Sequence, residues 1–184
     1  MRLIYDTFLF SILSTIIYFI FKISTKKINK TLWKTELTKL SFVFYISVLI
    51  FIILIYNTVK TDYLLYNFIP LKSILDYLKN INLNVSLKNL LGNIIIFFPL
   101  GFYFKFGFKI IPVRSLLYYS LIIPTVFESI QFVFYLLNIG MRTVDIDDVI
   151  LNGLGIICGY YLSKITLEKW ISSYNTNRSQ RGET

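Results

Sequence analysis

Residues 142–160 of this chain read RTVDIDDVILNGLGIICGY, and they join a charged segment directly to an apolar one. The apolar half contains Gly155 and Gly159 in the small-xxx-small spacing that lets two membrane helices pack closely. Asp148 and Asn152 precede these glycines, and positions i, i+4, i+7 and i+11 share one helix face. The stretch therefore predicts a tightly packed membrane helix with polar side chains at its start.

The composition of the whole chain also indicates a membrane protein. Its 184 residues are 55% hydrophobic and only 16% charged, which is unlike a soluble domain. Five stretches are apolar enough to cross a bilayer, at roughly 3–21, 40–56, 89–104, 115–137 and 149–163. We therefore predict an all-α fold, a polytopic transmembrane helix bundle of about five spans.

Basic residues between the spans predict the orientation. The formal net charge is +9, and many of the lysines and arginines fall in segments 22–39, 105–114 and 164–181. These segments lie on one side of a five-span bundle, and the positive-inside rule places that side in the cytoplasm. The amino terminus is then outside and the carboxyl terminus cytoplasmic. Residues 1–171 form one transmembrane domain, and the polar, basic segment 172–184 is expected to be a disordered cytoplasmic tail.

The longest segment on the predicted outer side, residues 60–86, has an amphipathic pattern. Two interpretations are open: a helix on the outer membrane surface starting near Pro70, or a loop packed over the bundle. The apolar positions at helical spacing are Leu64, Phe68, Leu71, Leu75 and Leu78, and the charged positions opposite them are Lys72, Asp76 and Lys79.

Two of the spans carry polar pairs at hydrocarbon depth, where an unpaired polar group costs a few kcal/mol. In the third span, Asn89 and Asn93 are four residues apart and share a face. In the fourth span, Glu128 and Gln131 share a face, and Glu128 lies about 14 Å below Leu137 at ~1.5 Å per residue. An intramembrane carboxylate is a candidate functional group.

Prolines and glycines are expected to shape these helices. Pro99 and Gly101 interrupt the far half of the third span, and Pro124 can kink the fourth one turn before Glu128. Gly155 and Gly159 form the packing surface of the fifth span. These five positions are predicted to be structural.

The polar residues are expected to meet at one membrane level, in a cavity or headgroup-sized pocket near the outer edge. Arg142 is the cation expected to pair with the carboxylates. Asp145 and Asp148 either act at the site or cap the fifth helix, whereas Asp147 is expected to be merely solvated. The predicted binding residues are Asn93, Glu128, Gln131, Arg142, Asp145, Asp148 and Asn152.

The residue inventory excludes several kinds of site. The chain has no histidine, and its one cysteine is Cys158, so a Ser-His-Asp or Cys-His catalytic group is excluded. The chain therefore lacks the usual ligands of a zinc site, and no metal or cofactor is expected. No nucleic-acid-binding motif accompanies the positive charge. If the protein is an enzyme, Glu128 is the best catalytic candidate.

Three motifs in this order resemble the VanZ-like family: GNIIIFFPLGF, ESIQ and RTVDIDDVILNGLGIICGY. A fourth stretch, NFIPLKSI at 67–74, looks like the outer loop of that family, so the resemblance covers about residues 67–162. It implies a bacterial cell-envelope membrane protein, similar to one associated with resistance to the glycopeptide teicoplanin. The matching positions are Asn93, Pro99, Leu100, Gly101, Glu128, Gln131, Arg142, Asp145, Asp148, Asn152, Gly155 and Gly159.

Four functions remain open. We favour a binding module whose outer-leaflet pocket holds a polar lipid or a lipid-linked peptidoglycan precursor. In that case Arg142 meets a phosphate or carboxylate, the amides bind sugar or amide groups, and Asp145 and Asp148 orient Arg142 or bind a bridging cation. The alternatives are an intramembrane enzyme acting through Glu128, a proton-coupled transporter, and a structural protein in which the polar set only fixes helix order.

Overall fold

The computed structural model describes residues 2–25, 33–55, 66–79, 83–106, 112–137 and 144–180, and these are almost entirely helical. The all-α prediction is confirmed. The helices are α1 (Arg2–Ser24), α2 (Trp33–Ile50), α3 (Lys72–Lys79), α4 (Leu83–Phe106), α5 (Val113–Leu136) and α6 (Ile146–Gln180). A π-helical turn (Phe51–Ile55) continues α2, and two-residue strands β1 (Tyr66–Asn67) and β2 (Val144–Asp145) precede α3 and α6.

Five helices are long and apolar enough to cross a bilayer, as the sequence predicts. Their membrane-length segments are Leu3–Ser24, Thr35–Ile55, Leu87–Phe106, Arg114–Leu136 and Ile146–Thr166. Each is 20 to 23 residues long, close to what a hydrocarbon core of about 30 Å requires. The apolar runs alone underestimate four of the five spans because those helices continue beyond the apolar residues at their ends.

Helices α4 and α6 pack backbone against backbone through glycine. A Cβ atom on Gly155 would collide with the carbonyl oxygen of Ile94, and one on Gly159 would collide with that of Phe98. In the opposite direction, Gly101 of α4 lies against the carbonyl oxygen of Ile156. At all three glycines a larger residue would require the two helices to move apart.

The apolar core lies between α2, α4, α5 and α6, and the prolines lie inside their helices without ending them. Pro99 lies within α4 and the buried Pro124 within α5. The phenol of Tyr45 donates a 2.9 Å hydrogen bond to the carbonyl of Ile96, in the turn before Pro99. The buried core residues are Leu49, Ile53, Phe97, Leu100, Leu116, Ile156 and Tyr160.

The carboxyl-terminal segment differs from the sequence prediction. A disordered tail is predicted from Ser172, whereas α6 continues to Gln180. The chain has no proline or glycine between Gly159 and Gly182, so no helix breaker lies where the apolar part of α6 ends. Residues 181–184 lie outside the described residues.

Strands β1 and β2 pair in parallel and bring the segment before α3 to the start of α6. Tyr66 is opposite Val144, and Asn67 is opposite Asp145. The end of the bundle at which α6 begins also holds the start of α4, the end of α5 and the end of α2. We call it the site end.

Candidate functional site

A cavity of about 470 Å³ lies at the site end, between the π-helical turn, α3, α4, α5 and α6. Six of the seven predicted binding residues line it, and the seventh, Arg142, lies outside the described residues. The structure therefore brings six distant polar residues together around one cavity. They are Asn93, Glu128, Gln131, Asp145, Asp148 and Asn152.

Helix α5 supplies the two polar residues predicted on its face. Glu128 and Gln131 are buried, with 8% and 6% of their surfaces exposed. The side-chain Nε2 of Gln131 donates a 2.9 Å hydrogen bond to the carbonyl of Ile53. This bond fastens the π-helical turn to α5, and π-helical turns are frequent at functional sites.

Helix α6 faces α4 through the stripe that the sequence predicts. About two turns before Gly155 on α6, Asp148 Oδ1 accepts a hydrogen bond from the side-chain amide of Asn93. Asn152 lies between Asp148 and Gly155 on the same face and is only 5% exposed. Its Oδ1 atom is buried and has no hydrogen-bond partner among the described residues. Since a buried carbonyl oxygen without a donor costs about 1–3 kcal/mol, this atom marks where a ligand would bind.

Asp145 caps α6 and also lines the cavity. Its Oδ1 accepts a 2.9 Å hydrogen bond from the backbone N–H of Asp147, in the position of a helix N-cap. The same oxygen accepts a 3.0 Å bond from Asn67 Nδ2. Asn67 also donates to Ser73 and accepts from the backbone N–H of Ile69. Asp145 therefore joins the start of α6 to the segment that leads into α3.

The expectation that Asp147 is merely solvated is wrong. Asp147 is 1% exposed, and its two carboxylate oxygens accept the backbone N–H groups of Leu71 at 2.6 Å and Ile74 at 3.1 Å. The first turn of a helix leaves N–H groups without helical acceptors. The β1–β2 pairing places the first turn of α3 beside α6, so Asp147 caps a helix other than its own.

Helix α3 combines the two interpretations that the sequence leaves open. It starts after Pro70, as the amphipathic interpretation expects, and it also packs on the bundle through Ile74 and Tyr77, which are partly buried. Its residues fall into three sectors of the helix circumference. Leu71, Leu75 and Leu78 form an exposed apolar sector, and the charged side chains are exposed beside it. Leu64 lies outside the described residues.

Sequence reasoning left three polar cavity residues out of the predicted binding set: Tyr77, Lys88 and Asn89. Asn89 shares a face with Asn93, and Lys88 directly precedes it, so the helical period was the available signal. Tyr77 depends on the docking of α3, which the sequence does not reveal. Burial raises the pKa of Tyr77, opposed by a hydrogen bond with the Asn89 side chain and reinforced by Asp148, Asp145 and Asp147. The phenol is therefore a neutral hydrogen-bonding group at physiological pH.

The cavity lining contains more acidic than basic side chains. Glu128, Asp145 and Asp148 contribute carboxyl groups, and Lys88 is the cation among the described lining residues. No group of three or more aspartate, glutamate, cysteine or histidine side chains within the described parts of the chain could hold a metal ion. This lining can form hydrogen bonds and charge pairs with a polar ligand.

Comparison with known proteins identifies one family. The VanZ/LLP1 family model matches residues 42–167. This range contains α3 to α5, both strands, half of α2, the spanning part of α6 and every residue that lines the cavity. Searches of curated proteins and of solved structures found no match.

Proposed function

This chain belongs to the VanZ/LLP1 family, and from that premise we propose that its cavity binds the polar headgroup of a membrane lipid. The observation that carries the proposal is the buried Oδ1 atom of Asn152, which lines the cavity without a hydrogen-bond donor among the described residues. A ligand that donates to this atom would remove the cost of burying it. A lipid is the ligand class that reaches such a site from the bilayer.

The size and lining of the cavity support a headgroup. A volume of about 470 Å³ is within the range of small-molecule sites, which combine apolar walls with a few polar groups. Here the apolar walls include Ile52, Ile53 and Ile96. We place the cavity in the outer leaflet because the basic segments favour a cytoplasmic location for the opposite end of the bundle.

The structure changes the predicted roles of several binding residues. One amide hydrogen of Asn93 and one of Gln131 are used inside the protein, and Asp145 is used in capping. Asn152 is then the buried group best placed to contact a ligand, in a cavity that Glu128 also lines and to which Lys88 contributes the cation. A lipid-linked peptidoglycan precursor remains a candidate ligand because it combines a phosphate with sugar and amide groups.

Filling the cavity should abolish lipid binding without unfolding the protein. Gly92 lines the cavity, and a Cβ atom added there meets no atom within 4 Å. We expect Gly92→Leu to reduce co-purified lipid at least about tenfold, equivalent to about 1.4 kcal/mol of binding free energy. Mass spectrometry of lipids extracted from the purified protein measures the loss.

Gly92→Ala is the matched control, because its methyl group occupies much less of the cavity. It should retain most of the lipid, and both variants should melt near the wild-type temperature. Wild-type lipid content in a folded Gly92→Leu protein would contradict the proposal. Recovery of a lipid that the wild-type protein alone has chemically altered would instead favour an intramembrane enzyme, for which the buried carboxyl group of Glu128 is the candidate acid or base.

We further propose that this lipid binding lowers susceptibility to teicoplanin. In a sensitive Gram-positive host, the wild-type protein should raise the minimum inhibitory concentration at least about fourfold over empty vector. Glu128→Gln should remove most of the increase, since its carboxyl group lies in the cavity. Asp76→Asn, an exposed position on α3 outside the cavity lining, is the control at matched membrane abundance. No protection by the wild-type protein would reject the drug phenotype while leaving lipid binding to the direct assay.

A further inference from the structure

The two ends of the cavity differ in burial. Asp145 and Asp148 are partly buried lining residues, and the cation of the described lining is at the exposed end. Glu128, Gln131 and Asn152 form a buried end, while Lys88 and Asn89 are exposed at the mouth. A ligand that occupies the full length of the cavity therefore meets a carboxyl group at one end and an ammonium group at the other. The separation between the Glu128 carboxyl group and the Lys88 ammonium group restricts the chemical class of the ligand more than the number of polar residues does.

The buried end presents mainly acceptors to a ligand. The Oδ1 atom of Asn152 has no donor among the described residues. Gln131 directs one amide hydrogen to Ile53, and Asn93 directs one to Asp148. The oxygens of a carboxyl group accept hydrogen bonds, so Glu128 adds further acceptors to the lining. The complementary ligand group is a cation with several N–H donors.

Lys88 is the group at the mouth of the cavity that can bind an anion, whereas Asp145 and Asp148, which also line the cavity, oppose an anion close to Tyr77. Lys88 is exposed and lines the cavity, and a lysine ammonium is a strongly hydrated point charge that binds phosphate. The phenol of Tyr77 and the amide of Asn89 lie in the same lining and can donate to phosphate oxygens. A phosphate at Lys88 would also remain partly hydrated, which lowers the cost of binding it.

We infer that the preferred ligand is a phospholipid whose headgroup carries a protonated primary amine, with the amine directed toward Glu128 and Asn152 and the phosphate near Lys88. The inference rests on the proposed headgroup site and specifies its ligand. A primary ammonium group offers three N–H donors and a positive charge. A trimethylated amine keeps the charge without the donors, and a glycerol headgroup keeps donors without the charge.

Three lipids with identical acyl chains separate these properties: phosphatidylethanolamine, phosphatidylcholine and phosphatidylglycerol. Each is titrated against the purified full-length protein in detergent, and bound lipid is counted by native mass spectrometry. We expect phosphatidylethanolamine to bind at least about tenfold more tightly than either of the others. Equal binding of all three would overturn the inference and leave the headgroup site intact. Binding of none would overturn the proposed site itself.

Two substitutions test the orientation of the headgroup. Glu128→Gln should reduce the preference for phosphatidylethanolamine over phosphatidylglycerol at least about fivefold. Lys88→Gln should weaken both lipids by a similar factor, because both carry the phosphate. Asp76→Asn and Lys72→Gln, which are exposed on α3 outside the cavity lining, are the matched controls. If Glu128→Gln does not fold, the exposed Lys88→Gln variant still tests the position of the phosphate. Unchanged affinity of Lys88→Gln for both lipids would overturn the proposed orientation of the headgroup.

A soluble competitor identifies the source of the amine and phosphate. Phosphoethanolamine carries the same two charges without acyl chains. It should fail to displace the bound lipid at a hundredfold molar excess, because it lacks contacts with the apolar walls. Displacement at equal concentration would show that the cavity selects a water-soluble molecule, and the phospholipid assignment would be wrong.

Discussion

Replacement of Gly155 by leucine is expected to prevent the protein from folding in the membrane. A Cβ atom at this position would collide with the carbonyl oxygen of Ile94. Neither atom can move without moving the helix backbone to which it is attached. The helices would have to separate along their whole contact, including Gly159 against Phe98. Overpacking a core typically costs about 1–3 kcal/mol, and a whole leucine side chain forced against a neighbouring helix backbone should exceed that range. Membrane abundance after matched expression, with thermal unfolding of any purified protein, measures the effect.

Two further variants make this prediction specific. Gly92→Leu places the same side chain on α4 at a position where an added Cβ atom meets nothing within 4 Å, so its abundance should stay near wild type. Gly155→Ala should be destabilised less than Gly155→Leu, since only the first carbon collides. Wild-type abundance of Gly155→Leu would mean that α4 and α6 do not contact through this glycine.

Much of the α6 interface could be predicted from the sequence because a helix has a fixed period. The spacing of Asp148, Asn152, Gly155 and Gly159 places all four on one face, and small residues on such a face mark where another helix approaches. The structure shows that the approaching helix is α4. The same argument predicted that Glu128 and Gln131 share a face, and both line the cavity.

The sequence could not predict contacts that depend on nonlocal pairing. The β1–β2 pair has two residues in each strand, too short for any periodic pattern. That pair brings the start of α3 to Asp147, so the cap on α3 comes from a residue more than seventy positions away. The inclusion of Tyr77 in the cavity has the same cause. Local periodicity recovers faces of helices, but it does not reveal which turn rests against which neighbour.

The interface between α4 and α6 determines both how these helices pack and where their polar side chains lie. The glycine contacts at Ile94 and Phe98 fix the register of α6 against α4. With that register set, Asn93 meets Asp148 at the site end, and Asn152 faces the cavity between the polar and the glycine contacts. A change in register by one residue would turn this stripe away from α4. The cavity lining is therefore a consequence of the apolar half of α6 as well as of its polar start.

Removal of the Asp147 side chain is expected to release α3 from the bundle while the five long helices stay folded. Asp147→Ala eliminates both acceptors for the N–H groups of Leu71 and Ile74. Losing an N-cap costs about 0.5–2 kcal/mol, and leaving buried N–H groups without partners costs about 1–3 kcal/mol. Since ~1.4 kcal/mol is a tenfold change in an equilibrium constant, amide exchange in α3 should accelerate at least about tenfold. Hydrogen–deuterium exchange of the purified protein, followed by mass spectrometry of peptides covering residues 66–79, measures this directly.

The comparison with asparagine distinguishes capping from a general loss of charge. Leu71 binds one carboxylate oxygen of Asp147 and Ile74 binds the other, whereas asparagine offers a single oxygen. Asp147→Asn should therefore give exchange between wild type and Asp147→Ala. Asp76→Ala removes an exposed carboxylate from α3 itself and should leave exchange near wild type. If Asp147→Ala behaves like Asp76→Ala, the docking of α3 does not depend on this cap. If α3 is released, Tyr77 leaves the cavity lining with it, and lipid binding should weaken even though the groups at the buried end are unchanged.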